Sequence, residues 1–121
     1  MLINLSNHPL CQWSAKQIKA AEKKYNTIID FPFPHISPVA SKSVIIKKSK
    51  SYAAKCHKLI SASTEKHNAV HVMGELTFTF SIVNFLKQKA ILCIASTSNR
   101  IVLQESEAKT SYFSFVTFRE Y

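Results

Sequence analysis

The stretch Ala69-Val70-His71-Val72-Met73-Gly74-Glu75-Leu76 limits the fold more than any other. It is an apolar run that stops at the only glycine in the chain. Residues 69–73 read as a buried strand, and a second apolar run at residues 90–95 reads as another. Neighbouring parallel strands need a crossover of about a dozen residues or more, usually a helix. Residues 76–89 are therefore predicted to be helical, although Leu76, Phe78 and Phe80 alternate with Thr77 and Thr79 in a β-like way. Phe80, Ile82, Val83, Phe85 and Leu86 would leave such a helix buried nearly all round. Strand, glycine and helix in that order are how an open α/β sheet presents a ligand-binding edge. Gly74 would let a ligand approach the backbone closely; a plain turn glycine is the alternative.

The flanking chain fits the same class. Residues 2–5 form a short apolar strand that ends in the polar cluster Ser6-Asn7-His8-Pro9. Ser14 and Gln17 have the spacing of a capping box, and Ile18, Ala21 and Tyr25 follow at helical intervals. Residues 27–31 are rich in β-branched side chains and read as a second strand, closed by Pro32, Pro34 and Pro38. Residues 41–63 carry a helical pattern, with a short strand at Val44-Ile45-Ile46 as the competing assignment. After residues 90–95 comes Ser96-Thr97-Ser98-Asn99-Arg100, read as a polar loop. Residues 101–104 and 112–118 follow as an antiparallel pair joined by a charged link at 105–111. The expectation is one α/β domain over residues 1–121. It is a three-layer, Rossmann-like, mostly parallel sheet with a C-terminal antiparallel β-hairpin.

Charge narrows the partners. Sixteen Lys and Arg against seven Asp and Glu give a net charge of +9, which favours an anionic partner over a merely soluble basic surface. Three widely spaced cysteines suggest reduced thiols and a cytoplasmic protein. Asn4, Asn7 and His8 interrupt the N-terminal apolar run, so no signal peptide is read there. No stretch reaches the roughly 18 apolar residues that span a bilayer, so no membrane association is expected. One glycine cannot supply a Walker, dinucleotide-binding or Gly-x-Ser-x-Gly motif. His67 and His71 are four apart, but His71 falls in a strand, and Cys56-His57 is too sparse for zinc. No metal and no cofactor are expected.

In an open α/β sheet, ligands bind beyond the carboxyl ends of the strands. That places Ser6, Asn7 and His8, then Gly74 and Glu75, then Ser96, Thr97, Ser98 and Arg100 at one edge. Hydroxyls, an amide and a guanidinium there suit phosphate or ribose, and helix N-termini would add anion donors. His8 is the general acid/base candidate, with a turn histidine as its alternative. Glu75 can orient a ribose hydroxyl or take a proton, or simply place a negative charge in the first turn of a helix. Lys109 and Arg119 extend the positive field or are solvated charges. Phe113 and Phe115 read as core or a dimer face in preference to a base-stacking platform.

Four stretches carry a resemblance. They are Ser6-Asn7-His8-Pro9-Leu10 with Gln17, the run from Val70 to Glu75, the segment Ser96-Thr97-Ser98-Asn99-Arg100, and the ending from Phe113 to Tyr121. Together, in order and over nearly the whole chain, they resemble the small stand-alone ring nucleases associated with type III CRISPR systems. That group is akin to CARF sensor domains. The chain departs from the group's usual pattern at Phe115 and Thr117, where basic or imidazole side chains are common, and near Ala108, where a glycine is common.

The resemblance implies a homodimer that binds cyclic tetra-adenylate and cleaves it without a metal, by attack of a ribose 2′-hydroxyl on its own phosphodiester. His8, Arg100 and Glu75 would be catalytic. Ser6, Asn7, Gly74, Ser96, Thr97, Ser98, Lys109 and Arg119 would bind the ligand; DNA is not an expected partner. The alternatives are a protein that holds a cyclic oligoadenylate uncut, as sponge or sensor, and a general RNA-binding domain driven by charge.

Overall fold

The structure, a computed structural model, describes all 121 residues. Five strands form one sheet in the order β2-β1-β3-β4-β5: β1 (Leu2–Ser6), β2 (Ile28–Asp30), β3 (Ala69–Met73), β4 (Cys93–Glu105) and β5 (Ala108–Glu120). The first four run parallel, and β5 returns antiparallel to β4. Three helices connect them: α1 (Ala15–Tyr25), α2 (Lys42–Ser61) and α3 (Leu76–Gln88). None of the helices is long and apolar enough to cross a membrane.

Side chains on β1 and β3 alternate between two apolar clusters. Ile3, Leu5, Val70 and Val72 pack with Ile45, Ala53, Cys56, Phe78, Ile82 and Leu86, so α2 and α3 cover one face. Leu2 and Ala69 pack with Trp13, Ala21, Tyr25 and Ile94, so α1 covers the other. Two burial patterns explain the helices. The pattern read over residues 41–63 is the helix α2, Lys42–Ser61, with Ser41 Oγ accepting from Val44 N, and this excludes the short strand at Val44-Ile45-Ile46. The alternating Leu76, Phe78 and Phe80 are helical too: Phe78 is fully buried while Leu76 and Phe80 are exposed. The need for a crossover between β3 and β4 overrides the local β-like pattern.

The largest departure from expectation is at the C-terminal end. Ser96-Thr97-Ser98-Asn99-Arg100 is not a loop. It is the middle of β4, hydrogen-bonded along β5, and the two C-terminal strands predicted at 101–104 and 112–118 are the distal parts of two 13-residue strands. The turn between them is only Ser106-Glu107, much shorter than the expected link at 105–111. Polar composition suggested a loop, but a strand with partner backbone on one side and solvent around it tolerates Ser, Thr and Asn. The pairing skips from Thr97–Thr117 to Ser98–Phe115, so Val116 is an extra residue that bends the hairpin. Only Val70 and His71 of β3 pair with β4, at Cys93 and Ile94. The distal hairpin is thus a two-stranded arm of roughly 30 Å beyond the sheet.

Two smaller corrections concern the strand ends. Ser6 belongs to β1 and is not part of the turn, and a short 3-10 turn at Leu10–Gln12 precedes α1. Ser14 Oγ does cap α1 by accepting from Gln17 N, but the Gln17 side chain does not return to Ser14. It reaches across to Ser96.

Candidate functional site

In sequence the chain passes from β1 to β2 on one side, then to β3 on the other side of β1. This is a topological switch point, where connections diverge and leave a crevice. On the α1 face, beside this point, a cleft of about 490 Å³ opens between the 3-10 turn, the start of α1 and the β4–β5 arm. Its polar lining includes His8, Gln17, His71, Ser96 and Ser98, and Trp13, Phe113 and Phe115 supply aromatic walls. A larger apolar groove between α2 and α3, about 670 Å³, has Lys42 as its one charged residue and offers little chemistry.

A hydrogen-bonded chain of side chains builds the floor of the cleft. Asn4 on β1 donates from Nδ2 to Asp30 Oδ1 (2.8 Å) and to the His8 carbonyl oxygen (2.9 Å). His71 on β3 lies with Nδ1 3.0 Å from Asn4 Oδ1 and Nε2 2.8 Å from Ser96 Oγ. Gln17 Nε2 donates to the same Ser96 Oγ at 3.0 Å. Trp13 Nε1 donates to the His8 carbonyl, and its ring meets His71 edge-on at 5.0 Å between centroids. His71 is 1 % exposed. Burial, then the nearby His8, push its imidazole down to about 4, so it is neutral at pH 7.

The expected residues divide among several places. His8, Ser96 and Ser98 do line the cleft. Ser6 and Asn7 line a neighbouring depression with Asp30. The Ser6 hydroxyl is engaged locally, 2.8 Å from Asn4 Oδ1 and 3.0 Å from the His8 carbonyl oxygen. Thr97 is adjacent to Ser96 and Ser98 on the strand, and so faces the other way; its hydroxyl donates to the Thr117 carbonyl. Arg100 shares the strand face of Ser96 and Ser98 but lies farther out, opposite Phe113, and does not line the cleft. Lys109 pairs with Gln104 near the tip of the arm, and Arg119 pairs with Ala95; neither reaches the cleft.

Gly74 and Glu75 have other work. An added Cβ at Gly74 would come within 3.0 Å of Phe33 ring atoms, so it is a side chain, and not a ligand, that approaches this backbone. Glu75 caps α3: its carboxylate accepts from Phe78 N (2.8 Å) and Thr77 N (3.2 Å) and from the Thr77 hydroxyl. The Phe78 backbone bond, with the Thr77 hydroxyl bond, holds the Glu75 carboxyl below its ordinary value. A built-in carboxylate therefore occupies the helix N-terminus that was expected to receive an anion.

Asn4, Trp13 and His71 escaped the sequence reading as site residues. In sequence His71 stands out only as half of a metal pair with His67 and as part of the run from Val70 to Glu75 that carries the resemblance. Its strand position, one pleat from a β4 serine, carries the relevant signal, but the strand register that joins them is tertiary. Phe115 is buried, as the core reading expects, and Phe113 is exposed; both also line the cleft, because Val116 shifts the β5 register and turns them to the Ser98 side. No cluster of three His, Cys, Asp or Glu side chains stands close enough to hold a metal ion.

No curated protein and no solved structure matches the chain. A family model does match, over residues 1–119, which takes in every helix, the whole of the cleft and all of the sheet but the last residue of β5: the chain belongs to the family described as the uncharacterized protein MJ1673 family.

Proposed function

We propose that this chain binds a cyclic oligoadenylate, cyclic tetra-adenylate first among them, and opens the ring by metal-independent attack of a ribose 2′-hydroxyl on the adjacent phosphodiester. In this reading the fold is a Rossmann-like relative of CARF sensor domains, the chain works in the cytoplasm, and its role is to end a type III CRISPR signal. The observation that carries it is the composition of the cleft. Hydrogen-bonding groups that suit a base or ribose sit beside Phe113, an exposed aromatic ring of the kind on which bases stack, while Trp13 and Phe115 are largely buried in the cleft wall. The cleft's volume, about 490 Å³, is in the range of small-ligand sites and suits a part of a cyclic oligoadenylate better than the whole ring. A homodimer with two clefts on one ring follows, since a two-fold ligand suits a two-fold dimer. The exposed Val102, Leu103, Tyr112 and Phe113 on the arm supply apolar surface for such a contact. Arg100, at the cleft's outer end, would meet a phosphate.

One observation favours binding without cleavage: the cleft lining contains no Lys or Arg to stabilise charge on the phosphoryl oxygens. A single experiment separates the two. Purified protein is mixed with a large molar excess of cyclic tetra-adenylate in EDTA, and the products are followed by chromatography. Conversion of the whole excess to linear product supports the ring nuclease. Retained, intact ligand makes the protein a sponge or sensor. If the ring is neither bound nor cut, both are refuted. Equal affinity for linear RNA, falling steeply with salt, would leave a general RNA binder.

A further inference from the structure

The proton positions in the cleft floor follow from its donors and acceptors. Both partners of Asn4 Nδ2, a carboxylate and a carbonyl, can only accept, so the amide orientation is set and Asn4 Oδ1 faces His71 Nδ1. His71 Nδ1 therefore carries the ring proton. Its Nε2 presents a lone pair to Ser96, and the Ser96 hydroxyl donates to it at 2.8 Å. A hydroxyl has one donor and two acceptor positions. Gln17 fills one acceptor position and the other is open. Ser96 is half-buried and lines the cleft with the exposed His8, whereas His71, in the cleft floor, is almost wholly buried.

We propose that Ser96 is a catalytic residue that accepts the proton of the attacking ribose 2′-hydroxyl while passing its own to His71 Nε2, with His71, Asn4 and Asp30 as positioning residues behind it. This rests on the ring-opening function proposed above. In the step, the 2′-O–H bond breaks and the 2′-O–P bond forms. The P–O5′ bond breaks, leaving a 2′,3′-cyclic phosphate on one end of the opened ring. One proton moves from the 2′-oxygen to Ser96 Oγ as the Ser96 proton moves to Nε2. His8, exposed on the same cleft, donates a proton to the departing 5′-oxygen; His71 Nε2 then returns its proton to Ser96 Oγ as Ser96 releases one to water in the cleft, and water reprotonates His8. A hydrogen-bonded network that only ties β1, β3 and β4 together would look similar, so the test separates structure from chemistry.

Wild type, Ser96→Ala, Ser96→Thr and His71→Gln are compared at saturating cyclic tetra-adenylate, with affinity measured separately by calorimetry. The expected result is a ~10²- to 10⁴-fold loss of cleavage rate in Ser96→Ala and His71→Gln, the usual worth of general acid–base catalysis. Affinity should change by less than about tenfold, and Ser96→Thr should restore most of the rate. Imidazole nitrogen shifts of the wild type should show the neutral Nδ1–H tautomer of His71. If the wild type cuts and Ser96→Ala cuts equally fast, or if His71 is the Nε2–H tautomer, the relay is overturned and ring opening stands. If the wild type leaves the ring intact, both are overturned. Should His71→Gln fail to fold, the Ser96→Ala and Ser96→Thr pair decides alone.

Discussion

Replacing the single glycine tests why it is there. A Cβ at residue 74 would stand less than 3.0 Å from Cζ, Cε1 and Cε2 of Phe33, inside any real Cβ contact. Gly74 does not have positive φ, so alanine meets no backbone strain and the clash is isolated. The Phe33 ring cannot yield freely. It rests edge-on against the fully buried Phe78 at 5.1 Å between centroids, and Pro32 and Pro34 stiffen the backbone on both sides. Overpacking of this kind costs about 1–3 kcal/mol. Loss of glycine's freedom in the unfolded chain offsets about 0.4–1 kcal/mol of that. Gly74→Ala should therefore lose about 1–2 kcal/mol, a fall in midpoint of roughly 3–10 °C for a domain of this size. In a Phe33→Ala background the clash vanishes, and the same substitution should be neutral or stabilising by up to about 1 kcal/mol. Urea unfolding of the four proteins in a double-mutant cycle gives the coupling directly. Effects that add to within about 0.5 kcal/mol would refute the account, because they would show that Phe33 is not what excludes the side chain.

Other outcomes follow from the same geometry. His71 is held neutral, from 6.5 down to about 4, so the unfolded chain binds the extra proton between those values. Its contribution, about 3 kcal/mol, is complete above pH 6.5 and is lost as pH falls toward 4; the slope of stability against pH in that window should flatten in His71→Gln. Ala90 follows α3 with φ 56°, and the bonds from Ala90 N to Lys87 O and from Ile91 N to Leu86 O make a Schellman motif. Ala90→Gly should raise stability by about 0.5–1 kcal/mol, read as a higher thermal midpoint. Burial pushes the Cys56 thiol to about 12 and the Cys93 thiol to about 11, while Cys11 is exposed. A thiol reagent at pH 8 should label Cys11 alone in the folded protein and all three cysteines in urea; labelling of Cys56 or Cys93 before unfolding would refute this.

Much of the architecture is legible in the chain because its causes are local or periodic. Residues 69–73 are apolar enough to be a strand buried on both faces, and the distance to the next apolar run demands a crossover, so α3 follows despite Leu76, Phe78 and Phe80. The strand-end logic names His8, Ser96 and Ser98, which do line one cleft, but Ser96 and Ser98 reach it from within β4 and not from a loop beyond it, and Gly74, Glu75 and Arg100 do not reach it. What the tertiary structure alone decided has a different origin. Whether Ser96-Thr97-Ser98-Asn99-Arg100 is loop or strand depends on β5 lying beside it, and no local pattern records that pairing. Gly74 looks the same in sequence whether a ligand or Phe33 approaches it, since residues 41 apart meet there. The Asn4–His71–Ser96 chain joins three strands through parallel register, and a one-residue slip would turn every one of those side chains to the opposite face. Composition and period set which segments form strands and helices; long-range register determines which of their polar side chains meet.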